Sequence, residues 1–440
     1  MSVCPTGTNP VKMTAMSKTT FATQKQIEKA FLVGVEMDGD AHELDVQMRE
    51  LKELTRNAGY AVAGENRVRL RGAQPRYLMG GGNFEETVAL ARSAGATTIV
   101  FNDELSASQQ RNWETDGRIR TVDRQEIILE IFESRARTRE AVLQVQLARL
   151  EYMLPRLKKA WTHLERQHGG GTGMRGAGEK QLELDQRMVR DKISQLKRDL
   201  EDVRQRRATA RKTRERVPIV SAAIVGYTNA GKSTLLNTLT GAEVLAEDKL
   251  FATLDPTTRR LSLPNGQKLT LTDTVGFIRR LPHTLVDAFK ATLEETVLAD
   301  FLIHVVDLSD PEREAQERTT LEVLKEIGAA EKPVITAYNK MDVPAPGVIH
   351  AKRITKSKNC CFISATTGQG LPELVGLIER ELNRFTREVR LLIPHSRYDL
   401  INMLHEAGGV TTQKAEDKGV RIRGFLTPKA YEAVKKYASR

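Results

Sequence analysis

Gly226-Tyr-Thr-Asn-Ala-Gly231-Lys232-Ser233 decides the fold of the central part of this chain. An apolar stretch, Ile219 to Val225, leads into it, and a helix-like stretch, Thr234 to Leu239, follows. Strand, glycine-rich loop and helix in that order make a phosphate-binding loop. Glycine lets backbone N–H groups turn inward and cradle phosphate oxygens. Lys232 places a cation between the outer phosphates, and the Ser233 hydroxyl can ligate Mg²⁺. The whole run is expected to bind nucleotide: Gly226, Tyr227, Thr228, Asn229, Ala230, Gly231, Lys232, Ser233 and Thr234.

Three further motifs follow in order, each at the end of an apolar stretch. Asp273-Thr274-Val275-Gly276 ends Lys268 to Thr272. An Asp there can hold Mg²⁺ through water, and the glycine N–H can sense the outermost phosphate. Asn339-Lys340-Met341-Asp342 ends Pro333 to Tyr338. The Asp342 carboxylate can accept from both the ring N–H and the exocyclic amine of guanine. Adenine lacks that pair and would leave the charge unpaired. Ser364-Ala365-Thr366 ends Cys360 to Ile363, where a backbone N–H can meet guanine O6. Together the four motifs specify GTP and GDP rather than ATP.

Between the first two lies Phe251-Ala252-Thr253-Leu254-Asp255-Pro-Thr257-Thr258-Arg259, read as a first switch. Residues 251–255 are expected at the nucleotide, with Thr253 chosen as the second Mg²⁺ ligand beside Ser233. Thr257 and Thr258 are rivals that spacing leaves open. No catalytic residue is assigned, because Phe277 stands where a water-orienting Gln is expected. A phenyl ring cannot orient water, so hydrolysis is expected to be slow without help. Asn229 either stabilises the loop turn or resembles the Asn of potassium-activated GTPases, where it helps to hold K⁺.

The charge is unevenly placed. The chain carries a net +11, and 22 Lys and Arg against 11 Asp and Glu fall between Arg135 and Val217. All the excess therefore sits in that segment, as in a polyanion-binding element. The three cysteines, Cys4, Cys360 and Cys361, make no disulfide framework or metal spacing, which fits a reducing cytoplasm. No apolar run of membrane-spanning length occurs, and no membrane span is expected.

The expected organisation is α/β with five parts. Residues 1–27 form a polar, disordered tail. Residues 28–124 alternate strand-like and helix-like pieces as a small N-terminal α/β domain. Its Gly80-Gly-Gly-Asn83 loop precedes a helix and is read as a structural turn, with anion binding as the alternative. Residues 125–216 form a basic coiled-coil hairpin. Leu143, Leu147, Leu150, Leu154, Leu157, Trp161 and Leu164 make one heptad seam; Val189, Ile193, Leu196, Leu200 and Val203 make the other. The tip, His168 to Gly178, is glycine-rich and flexible, and the first helix is read as about 40 residues long. Residues 217–385 form a Ras-like P-loop GTPase domain with a mostly parallel sheet, and His304 in it is a core histidine. Residues 386–440 form a small α+β domain.

This order of parts resembles the HflX family of ribosome-associated GTPases. The most specific stretches are Gly169-Gly-Gly-Thr-Gly-Met-Arg175-Gly-Ala-Gly178-Glu179 with Leu182-Glu183-Leu-Asp185, and Phe251 to Arg259. The resemblance covers residues 28–440 and implies Mg²⁺ ligands at Ser233 and Thr253. It further implies binding to the large ribosomal subunit, and the protein is expected to be a cytoplasmic monomer. Gly169, Gly170, Gly171, Arg175, Gly176 and Gly178 of the tip would contact rRNA toward the peptidyl-transferase centre. Splitting of stalled ribosomes under stress follows from the same likeness, with GTP-dependent assembly of the large subunit as the alternative. Where many members carry Gly-Lys in the N-terminal loop, Gly80-Gly-Gly-Asn83 has no Lys, which argues against ATP chemistry there.

Overall fold

The computed structural model describes residues 27–37, 41–160, 175–214, 219–241, 250–280, 293–344, 358–406 and 409–439. The N-terminal part is a four-stranded parallel sheet in the order β2-β1-β3-β4. Its strands are β1 (Lys29–Met37), β2 (Ala61–Leu70), β3 (Thr98–Phe101) and β4 (Arg120–Asp123). Helix α1 (Ala41–Asn57) buries Leu44, Met48, Leu51 and Leu54 at helical spacing on one face of it. Helices α2 (Gly81–Ser93) and α3 (Ala107–Gly117) cover the other, around Trp113, Phe84 and Phe101.

Helix α4 (Arg124–Arg135) starts directly at the end of β4, capped by the Asp123 carboxylate, which accepts the Glu126 N–H at 3.0 Å. The chain then leaves the helix at Ala136 and starts α5 (Arg139–Ala160). The long first helix of the expected hairpin is therefore two helices. Helix α6 (Arg175–Arg214) returns antiparallel to α5. Leu147, Ile193, Leu196 and Leu200 are buried between them, flanked by Leu143, Leu150, Leu154 and Val189. These belong to the two heptad seams; Leu157 and Val203 of the same seams are not part of that cluster. Trp161, Leu164 and the tip residues Gly169, Gly170 and Gly171 lie outside the described residues, as do residues 1–26. Helix α6 begins at Arg175, so the backbone of Arg175, Gly176 and Gly178 is helical rather than part of a glycine-rich loop.

The next sheet has six strands in the order β10-β9-β8-β5-β7-β6. They are β5 (Ser221–Gly226), β6 (Thr257–Ser262), β7 (Lys268–Asp273), β8 (Phe301–Asp307), β9 (Val334–Asn339) and β10 (Cys360–Phe362). All pair in parallel except β6, which runs antiparallel to β7. Helices α7 (Lys232–Thr240), α8 (Arg313–Glu326) and α9 (Leu371–Phe385) pack on it. The strand order reverses at β5, and ligands of such sheets bind at the carboxyl ends of strands beside that reversal. A three-stranded antiparallel sheet, β11 (Arg387–Ile393), β13 (Gly419–Leu426) and β12 (Val410–Glu416), completes the fold. Helices α10 (Tyr398–Glu406) and α11 (Pro428–Val434) cover it. Among the described residues no helix is long and apolar enough to cross a membrane.

Candidate functional site

All four loop motifs leave the carboxyl ends of neighbouring parallel strands and meet around one cavity of about 300 Å³. Its walls include Asn229, Lys232, Ser233, Thr253, Gly276 and Asp342. Two glycines are required by close approach. Gly226 has φ +148°, and a Cβ there would lie 2.2 Å from the Val305 carbonyl oxygen. Gly231 has φ +93°, and its Cβ would lie 2.3 Å from Asn339 Nδ2.

Lys232 is buried, with Nζ donating to the Tyr227 carbonyl at 2.7 Å. Burial lowers its pKa to about 8, against the pull of the Asp273 carboxylate. Asp273 is fully buried, and desolvation raises its pKa despite Lys232 nearby. Its Oδ2 accepts from Ser233 Oγ at 2.6 Å and from Thr253 Oγ1 at 2.9 Å, while the two hydroxyl oxygens are 2.7 Å apart. Among the three candidate threonines, Thr253 is thus the one brought to Ser233. Thr257 and Thr258 lie in β6, where Thr258 pairs its hydroxyl with Thr272 at 2.9 Å. Among the described residues, Asp273 Oδ1 is buried without a hydrogen-bond partner.

Asn339 joins the base-reading loops to the phosphate loop. Its Nδ2 donates to the Ala230 carbonyl and its Oδ1 accepts from the Ala365 N–H, both at 2.9 Å. Lys340 pairs with Asp307 at 2.7 Å. Asp342 is exposed at the cavity wall. The N–H groups of Ser364 and Ala365, expected at guanine O6, are engaged with the Gln369 carbonyl and Asn339. It is Thr366 of that loop that borders the cavity.

Other expected nucleotide residues serve elsewhere. Leu254 is buried in a core shared with α1, α4 and α5, together with Leu250, Phe251, Val275 and Ile278. Phe251 borders the cavity but also stacks edge-on against Phe132 of α4, ring centroids 4.7 Å apart. Asp255 accepts from the N–H groups of Arg137 and Thr138 at 3.1 Å each. Both switch segments are thus packed against the root of the hairpin.

A polar network that no motif announces lies behind the phosphate loop. The Tyr227 hydroxyl donates to Glu50 of α1 and accepts from the Arg279 N–H at 2.9 Å. Arg124 bridges Glu50 Oε2 at 2.6 Å and the Arg279 carbonyl at 3.1 Å. The peptide groups flanking Arg279 are therefore held at both N–H and C=O by groups outside the second switch. Burial and the Glu50 charge push the Tyr227 phenol above its ordinary pKa, so it remains a donor. Only a buried Arg at a helix start, Arg124, could have hinted at it.

A parallel sheet with a phosphate loop, a switch carboxylate and a guanine-reading Asn-Lys-x-Asp loop defines a P-loop GTPase. Comparison with known proteins narrows the class. Family models match in succession: GTP-binding GTPase N-terminal over residues 45–133, GTP-binding GTPase middle region over 135–214, and 50S ribosome-binding GTPase over 221–340. GTPase HflX of Akkermansia muciniphila is 45% identical, covering 94% of this chain and 97% of that one. GTPase HflX of Lacrimispora saccharolytica is 42% identical over 93% and 96%, and that of Escherichia coli K12 39% over 89% and 92%. Among solved structures, the crystal structure of SsGBP with GDP aligns at 25% identity with TM-score 0.48, over 80% of this chain and 98% of that one. The chain belongs to the HflX family of GTPases, and it is an enzyme that hydrolyses GTP.

Proposed function

We propose that this protein is a monomeric cytoplasmic GTPase that binds the large ribosomal subunit. In its GTP state it splits or rescues stalled ribosomes, and hydrolysis to GDP drives its release. One observation carries the reading: both switch segments share a buried core with the root of a basic hairpin. A change at the outermost phosphate moves those segments, and through Asp255 and Phe251 it is transmitted to α5 and α4. The hairpin brings the positive charge that phosphate backbones attract, and its tip residues Gly169 to Gly178 would approach rRNA. The matched 50S ribosome-binding GTPase model supports the same partner.

Mg²⁺ fits the site: Ser233, Thr253 and the unpartnered Asp273 Oδ1 offer hard oxygen donors at one place. Ser233 and Thr253 would hold the ion, with Asp273 orienting them, and the bound ion would supply charge neutralisation across the phosphates. Asn229, with φ +60°, borders both this cavity and a neighbouring one and is the group to test for K⁺. Equal rates in K⁺ and Na⁺ would remove that role.

The test is gradient sedimentation of intact ribosomes with the protein and a non-hydrolysable GTP analogue. The expected result is conversion to free subunits, with the protein on the large one. Intact ribosomes, with the protein bound only to immature large-subunit particles, would favour the assembly role instead. Failure to join any ribosomal particle would overturn the proposal. Replacing His168 to Gly178 with a short Gly/Ser turn should abolish splitting while thermal stability and GTP binding persist.

A further inference from the structure

Asp342 can read the edge of guanine only if the plane of the ring is held. Lys340, between Asn339 and Asp342, lies on the wall of the nucleotide cavity. Its backbone is left-handed, with φ +64°, a conformation that residues with a Cβ adopt rarely and keep only where the surroundings impose it. Neighbouring backbone bonds impose it here. The Lys340 carbonyl accepts the Val343 N–H, and the Ile363 carbonyl accepts the Met341 N–H, both at 3.1 Å. These bonds fix the Lys340 backbone and leave its four-carbon side chain free to swing.

Asp307 catches the end of that side chain, at 2.7 Å from the ammonium. It is the last residue of β8 and stands in register with Asn339, the last residue of β9. The Leu308 N–H donates to the Asn339 carbonyl at 2.9 Å and ties the two strand ends together. Asp307 Oδ1 accepts from the Ser309 N–H at 2.9 Å and from the Ser309 hydroxyl at 2.6 Å, which leaves Oδ2 for Lys340. The carboxylate cannot turn without breaking these bonds, so the cation is held from a fixed point. The two side chains are 27% and 14% exposed, and salt screens such a pair less than one in open solvent. Among the described residues, Asp307 lines a neighbouring cavity of about 310 Å³ rather than the nucleotide cavity. The Lys340 ammonium is therefore drawn away from the nucleotide, and its methylene stem is left along the wall.

We propose that Asp307 is a positioning residue for guanine-nucleotide binding and acts through Lys340. By anchoring the ammonium it fixes the stem as an apolar ledge for the face of the purine ring, beside the carboxylate that reads the ring's edge. Asp307 itself touches no nucleotide. The inference concerns nucleotide binding alone and does not depend on the partner proposed above.

Asp307→Asn keeps the shape and an acceptor for Ser309 but removes the charge. Lys340→Met keeps an unbranched stem and removes the ammonium; the double variant has neither charge. GDP dissociation, single-turnover hydrolysis at saturating GTP and thermal melting without nucleotide are measured on the full chain for all three. Each single variant should release GDP about tenfold faster. Hydrolysis of bound GTP should stay within about twofold of wild type, as when binding is lost and chemistry is not. The double variant should release GDP no faster than the faster single variant, because both substitutions break the same pair. Multiplied losses in the double variant would mean that Asp307 acts apart from Lys340 and would overturn the inference. So would wild-type GDP release by Asp307→Asn, whether or not its melting temperature falls, since the pair would then be merely structural. Should Asp307→Asn fail to fold, Lys340→Met breaks the pair from the other side, and wild-type GDP release there contradicts the proposal equally.

Discussion

Asp255, two residues after Thr253, holds Thr138 at the root of the hairpin: its carboxylate accepts both the Thr138 N–H, at 3.1 Å, and the Thr138 hydroxyl. The partners are 117 residues apart in sequence. A carboxylate at the start of a helix satisfies N–H groups that the helix cannot, and it complements the helix dipole. Here the cap for α5 is supplied by the first switch of the GTPase domain.

Asp255→Ala removes that cap and should lower stability by about 1–2 kcal/mol. GTP affinity should be nearly unchanged, because Asp255 faces the hairpin root. Denaturant unfolding and nucleotide titration check both halves. An affinity loss without a stability loss would return Asp255 to the nucleotide site.

Asp342→Asn should weaken GTP binding by roughly 2–4 kcal/mol, since an amide accepts one of the two guanine donors and presents a repelling N–H to the other. Competition of GTP and ATP for the variant measures the effect. Undiminished preference for GTP would show that the base is read elsewhere.

His304 lies in β8, buried, and burial together with the nearby Lys232 lowers its pKa from 6.5 to about 4. The folded protein therefore refuses a proton that the unfolded chain accepts. Stability from this group is present above pH 6.5 and is lost as pH falls from there to about 4, by up to roughly 3 kcal/mol. Buried Asp123 and Asp273, whose pKa values are raised by burial, act in the opposite sense over acid pH. The clean measurement is the difference between wild type and His304→Gln across that window. A constant difference from pH 7 to pH 4 would mean that His304 does not titrate as burial requires.

The motifs at strand ends were legible because each rests on local chemistry: glycine where the backbone must come close, and charge where a phosphate or base must be read. The two heptad seams were legible for the same reason, since Leu147, Leu196 and Leu200 follow helical spacing closely. Strand β2 was not, because it is a polar edge strand in which Val68 is the only buried residue. The break at Ala136 carries no Gly or Pro, and Asp255, which accepts the N–H groups of Arg137 and Thr138 just beyond it, lies far along the chain. The same holds for the switch residues. Leu254 and Asp255 sit in a nucleotide-binding run by sequence, but long-range packing against α4 and α5 turns them to the hairpin.

Control of this GTPase by the large ribosomal subunit, as proposed, is tested most directly by GTP turnover of the protein titrated with purified subunits. With Phe277 buried and unable to orient water, turnover alone should be slow. Large subunits should raise it saturably, by on the order of a hundredfold or more, and small subunits should not. Equal turnover with large subunits, small subunits and buffer would contradict the account.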